Sequence, residues 1–343
     1  MINPNLKTIA QSFGLFLLFS ISNLYAQAQE KHLEKEDIAL AVDSIAHKLQ
    51  ANYVFPKVAE AMAKKIKSNW QNAAYNTVTD PEALARQLTQ DLQSVSKDKH
   101  LMVVYNPEVI AREQALTSED RAKEASEWEK ELLQHLKQNN FGFRDVKILD
   151  DNIGYLDLRE FANPEYAGET LTAAMQFLSN SKAIIIDLRQ NDGGFPGMVQ
   201  LLASYFFPSE PVHLADHYNR PKNESTQSWT LPYVPGTRRP NVDLYILTSN
   251  KTFSAAEAFT FQMQIKQRAT VIGETTAGGA HLTGSVIATD KYYVRIPQGR
   301  TMSPVDQSDW EGKGIKPDIS TSAAEALETA NQMARQKLKT AQH

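Results

Sequence analysis

The chain has 343 residues, 42% of them hydrophobic and 22% charged, with 15 glycines and 15 prolines. That is more chain than one ordinary domain needs and enough apolar material for a sizeable core, so two domains are expected, and disorder or a low-complexity fibre is excluded. A balance of 36 Lys+Arg against 40 Asp+Glu, net -4, and no cysteine exclude a basic nucleic-acid binder, disulfides, thiolate metal sites and a cysteine nucleophile.

Lys7 precedes an apolar run over residues 13–21, followed by Ala26-Gln27-Ala28. A basic start, a short apolar stretch and an A-x-A site predict a secretory signal peptide over residues 1–28. The run is shorter than the roughly 20 residues that span a bilayer, so no integral membrane segment is expected after its removal. The mature charge becomes -5, and the destination is periplasmic or extracellular.

Residues 29–145 read as a small helical N-terminal domain. Ile38, Val42, Ile45 and Leu49, then Val58, Met62 and Ile66, recur at three- and four-residue steps. Pro56 ends the first helix, and Thr79, Pro81 and Glu82 mark the start of another that reaches Leu92. Residues 101–105 predict a strand that carries His100 at its start, and residues 110–138 an amphipathic helix with a solvated face. A change of character between 140 and 152 suggests the domain join. Beyond it, unalternating apolar strands over 153–158, 183–188, 244–248 and 270–272 are separated by helices over 171–178, 198–207 and 255–266. That pattern indicates an α/β fold, a βαβ sheet covered on both faces, over residues 146–330, with a tail over 331–343.

Ligands of open α/β sheets bind beyond the carboxyl ends of strands, which singles out two junctions. In residues 187–197 the pair Gly193-Gly194 serves either a tight turn or a cradle of backbone N–H groups for an anion. In residues 248–257, Ser254 stands where loop becomes helix. It is either an N-cap or a nucleophile beside the positive helix end. His100 is the best-placed candidate base and His281 the second; no histidine spacing suggests a metal, and no cofactor is expected. Asp187 and Arg189 read as braces of the glycine loop, Trp229 and Tyr233 as packing groups or the lining of a cleft, and Glu257 as a complement to the helix dipole.

Four ordered segments, DLRQNDGG (187–194), TSNKTFSAAEAF (248–259), VIGETTAGGAH (271–281) and DWEGKGIKPDI (309–319), together resemble the tail-specific protease superfamily. That superfamily includes carboxy-terminal processing proteases, the tricorn core protease and the interphotoreceptor retinoid-binding protein. The segments at 91–105 and 50–62 are most similar to the retinoid-binding-protein-like branch. The resemblance runs from about residue 35 to 330 and implies a crotonase-like βαβ catalytic domain. It implies Ser254 as nucleophile, Gly193 with Gly194 beside it and Ala255 as oxyanion-hole amides, His100 as general base and Glu311 as its orienting carboxylate. The lysine base of the processing proteases falls on Gly279, so a Ser–Lys dyad is unavailable. Lys99 stands where the tricorn-like branch has a serine, and nothing between residues 101 and 153 has the strand pattern of a PDZ-type domain. The function implied is an exported serine peptidase acting on a peptide or protein through a Ser254 acyl-enzyme. The same fold also suits a binding protein for a retinoid or fatty-acid-like ligand, and the same three residues would serve an esterase. Oligomeric state is left open.

Overall fold

The computed structural model describes residues 33–340, so the expected signal peptide lies outside the described residues. In chain order the first elements are α1 (Lys35–Asn52), α2 (Pro56–Gln71), α3 (Pro81–Ser96), β1 (Met102–Tyr105), α4 (Pro107–Ala115) and α5 (Ser118–Gln138). There follow β2 (Phe143–Leu149), β3 (Ile153–Leu158), α6 (Pro164–Phe177), β4 (Ala183–Asp187), α7 (Pro196–Ser204), β5 (His213–Asn219) and β6 (Glu224–Trp229). The last are β7 (Asp243–Thr248), α8 (Ala255–Ile265), β8 (Thr270–Gly273), β9 (His281–Ile287), β10 (Tyr292–Met302), β11 (Ile319–Ser320) and α9 (Ala326–Thr340). Among the described residues no helix is long and apolar enough to cross a membrane.

The chain divides into two compact units. Of the described residues, unit 1 comprises 33–132, Asn219–Glu224 and His281–Arg300; unit 2 comprises Leu133–Tyr218, Ser225–Ala280 and 301–340.

In unit 1, α1 buries Ile38, Val42, Ile45 and Leu49, α2 buries Met62 and Ile66, and α3 buries Leu84, Leu88 and Leu92. These are the three- and four-step rows of the sequence. The cap of α3 is Asp80 rather than Thr79: its carboxylate accepts the N–H groups of Glu82 and Ala83 at 3.2 and 3.0 Å, with Pro81 pre-set at the first helical position. The expected helix over 110–138 is two, α4 and α5. Strand β10 pairs antiparallel with both β1 and β9, placing Val103 opposite Val294 and Ser285 opposite Arg295.

Unit 2 holds a six-stranded sheet in the order β11-β8-β7-β4-β3-β2, parallel throughout except for β2 against β3. Strand β4 is buried at every position, as a central strand covered on both faces must be. Residues 331–340, expected as a tail, are helical: Ala326, Ala330 and Ala334 of α9 form a small-residue stripe packed on Ile153, Ile185, Leu247 and Ile272. Strand β2 is one strand in the stretch that lacks a PDZ-type strand pattern, and the expected join at 145/146 falls inside it. Its exposed or half-exposed Arg144, Asp145 and Lys147 hide the apolar alternation. In the middle of the sheet Asp187 lies opposite Leu247, so the loops leaving β4 and β7 start from the same level of adjacent strands.

Candidate active site

Those two loops meet. Gly193 has φ +116°, and a β-carbon on it would stand 2.7 Å from the Ser254 Cβ and 3.0 Å from the Ala255 nitrogen, so glycine is required both for its backbone and for the close approach. Gly194, at φ +133°, bridges to Phe161, and a side chain there would overlap the Phe161 carbonyl. Asn191, fully buried, fastens the loop. Its Nδ2 donates to the Leu158 carbonyl at 2.9 Å, its Oδ1 accepts the Gly193 N–H at 2.9 Å, and its carbonyl accepts the Phe253 N–H at 3.1 Å. Behind the loop, Arg189 pairs with Asp187 at 2.5 Å and Tyr155 donates to the same carboxylate at 2.8 Å, which is the bracing role expected of Asp187 and Arg189.

Ser254 precedes α8 with φ 54° and ψ -117°, a conformation that non-glycine residues adopt only under constraint, at a cost of about 1–3 kcal/mol. The constraint comes from Glu257, which is fully buried. Its Oε2 accepts the Ser254 N–H at 2.9 Å and the Gly279 N–H at 2.8 Å; its Oε1 accepts the Thr276 hydroxyl at 2.5 Å and the Gly278 N–H at 2.7 Å. Burial raises the Glu257 carboxyl above the ordinary glutamate value, and the donors of Thr276, Gly279, Gly278 and Ser254 oppose that shift. The Ala255 N–H is the first of α8 and has no intrahelical partner. The Gly193 N–H is already bonded to Asn191, whereas the Gly194 N–H meets no acceptor among the described residues.

Glu311, also of unit 2, accepts the Ala280 N–H on Oε2 at 2.6 Å. Its neighbour Trp310 is buried, donates from Nε1 to the Gly279 carbonyl at 3.0 Å and packs with Ala280 and Ile315.

His100 belongs to unit 1, where the carboxylate beside it is Asp98. Asp98 is fully buried; its Oδ1 accepts the His100 backbone N–H at 3.0 Å and lies 3.7 Å from His100 Nδ1. Its Oδ2 is 2.5 Å from His281 Nδ1 and accepts the Tyr53 hydroxyl at 3.2 Å. Burial on its own would raise the Asp98 carboxyl; hydrogen bonds and charge from His100 and His281 outweigh it and hold the group well below the usual carboxylate range. The edges of Tyr53 and Phe55 meet the His281 ring at centroid distances of 6.5 and 5.5 Å, fixing its plane.

Residues 152–321 match the family model described as peptidase family S41, and residues 27–143 match the model for the N-terminal domain of that peptidase in eukaryotic IRBP. The chain belongs to the tail-specific protease superfamily. Among superfamily relatives, the carboxyl-terminal-processing protease of Synechocystis is 27% identical over 50% of this chain and 39% of its own. The carboxy-terminal processing protease CtpA of Bacillus subtilis is 26% identical over 50% of this chain and 36% of its own. The chain thus spans well under half the length of these curated relatives. A crystal structure from Parabacteroides merdae shares the fold, with a TM-score of 0.59 and 19% identity over 87% of this chain and 96% of that one.

Of the residues that the superfamily resemblance singles out, Ser254, Gly193, Gly194 and Ala255 come together within unit 2. Glu311 lies in the same unit, bonded to Ala280, and His100 lies in unit 1 against Asp98. Sequence reasoning missed Asn191, Thr276, Asp98 and Tyr53, and gave Glu257 only a dipole role. The one local signal was for Asp98, two positions before a candidate histidine in KDKH.

Proposed function

We propose that this chain is an exported serine peptidase that hydrolyses peptide bonds through a Ser254 acyl-enzyme. The observation that carries the reading is the Ser254 elbow: a constrained serine at the start of a helix, pressed against a glycine loop, with helix-terminal amides around it. Ser254 Oγ attacks the substrate carbonyl while His100 takes its proton; the imidazolium then protonates the leaving amine, and a water repeats the sequence to release the acid. The oxyanion falls to the N–H groups of Ala255 and Gly194, each such donor being worth about 3 kcal/mol of barrier. Gly193, whose N–H is bonded to Asn191, serves instead as the gap that lets the elbow approach. The resemblance nominates Glu311 as the carboxylate that orients the base, and the contacts of unit 1 favour Asp98 for that task. Export rests on the signal-peptide pattern of residues 1–28.

A second reading, a carrier of an apolar ligand, draws on the match of residues 27–143 to the IRBP N-terminal domain. One experiment divides the two. A fluorophosphonate probe is expected to label the wild type and to leave Ser254→Ala unlabelled, with His100→Ala slowed by at least ~10³-fold. No labelling of the wild type, together with saturable binding of a fluorescent fatty acid, overturns the peptidase reading. Peptide digestion against ester hydrolysis then separates peptidase from esterase.

A further inference from the structure

We infer that Glu257 is a positioning residue: a buried carboxylate that holds the Ser254 elbow in its strained conformation and locks it to the 276–279 segment. For its catalytic consequence the inference rests on the peptidase reading.

The geometry carries it by donor counting. Three of the four groups on Glu257 are backbone N–H groups, which can only donate. The fourth, the Thr276 hydroxyl, already accepts the Ile315 N–H at 2.7 Å, so its own proton is directed to Glu257 Oε1 at 2.5 Å. Four donors fill both oxygens, and a proton on either oxygen would face a donor. The side chain therefore accepts through both oxygens, in a place where no lysine or arginine among the described residues pairs with it. A glutamate three residues into a helix ordinarily reaches back to one N-cap amide. This one takes three more donors from a separate loop, and that loop is tied through Thr276 and Ile315, and through the Gly312 N–H to the Gly278 carbonyl at 3.0 Å, to the segment bearing Glu311. One carboxylate thus fixes the nucleophile's backbone and the two loops behind it, all within unit 2.

Glu257→Gln keeps the shape and places an NH₂ group against two donors. The test measures the rate of fluorophosphonate labelling at Ser254 and hydrogen exchange at residues 254, 278 and 279. Glu257→Gln is expected to label about 10–100-fold more slowly than wild type at a temperature where both are folded, the range that a misplacement of about 1 Å produces. Its exchange should quicken at those three amides ahead of the rest of the sheet. Thr276→Val, which removes one donor, should shift both readouts in the same direction by less, and it carries the test if Glu257→Gln does not fold. Wild-type labelling rate in the variants, with a lowered melting temperature alone, overturns the inference. If the wild type itself does not label, the peptidase reading fails, and exchange alone decides on Glu257: quickened at the three amides it stands, unchanged it falls.

Discussion

The two units each bury one carboxylate completely, and they compensate it in opposite ways. Asp98 in unit 1 is held by two imidazoles, a phenol and one peptide N–H; Glu257 in unit 2 is held by three peptide N–H groups and a hydroxyl. The carboxyl with imidazole partners is driven down and the one with only dipoles is driven up, although both are equally removed from water. Burial pushes both carboxyls upward, and charge on the partner decides whether that push is overcome. Imidazoles make Asp98 suited to steering a proton; neutral dipoles make Glu257 suited to holding a backbone still.

The comparison breaks first at Asp98. If its charge orients the base, Asp98→Asn should lower kcat/KM by about 10³–10⁴-fold, while Glu311→Gln, whose carboxylate accepts a backbone amide, should cost less than about tenfold. The reverse order, read from peptide hydrolysis, would return the orienting role to Glu311. Next in size is Gly194→Ala, which forces a side chain into φ +133° and onto the Phe161 carbonyl; urea unfolding should show a loss of roughly 3–5 kcal/mol. The same exchange in helix α6, Gly168→Ala, meets only Leu201 at 3.8 Å and should add about 0.5–1 kcal/mol. The smallest effects are in pH dependence, and their signs differ. Because the Asp98 value is lowered, its stabilisation is complete above the ordinary value of 3.8 and is lost as pH falls below it, so the stability gap between wild type and Asp98→Asn should narrow on acidification. Because the Glu257 value is raised above 4.5, its contribution is present below 4.5 and lost as pH rises through the folded value, so wild type should gain on Glu257→Gln as pH falls towards 4.5. Parallel slopes in chemical denaturation would show that the two carboxylates are not compensated differently.

Much of unit 2 was legible because its signals are local. Unalternating strands, a glycine pair after one and a serine between strand and helix after another are read within a dozen residues, and the in-register pairing of β4 with β7 brings them together. Strand β10 escaped because Pro297 and Gly299 sit in its middle; the structure absorbs them with a register shift at that point. The carboxylate clusters escaped for another reason. Tyr53 and Asp98 are 45 positions apart, and Asp98 and His281 are 183 apart, so no window of sequence contains the contact. Glu257 was visible as a residue, yet the loop that gives it three of its four donors lies about 20 positions away and looks like an ordinary glycine turn.

Asp187 lies level with Leu247 on the adjacent strand, and this alignment acts beyond the two residues. It makes the separation between the glycine loop and the serine a property of two adjacent strands, indifferent to the length of chain that runs between them through α7, β5 and β6. That excursion can lengthen, shorten or change its side chains without moving the glycine loop relative to Ser254.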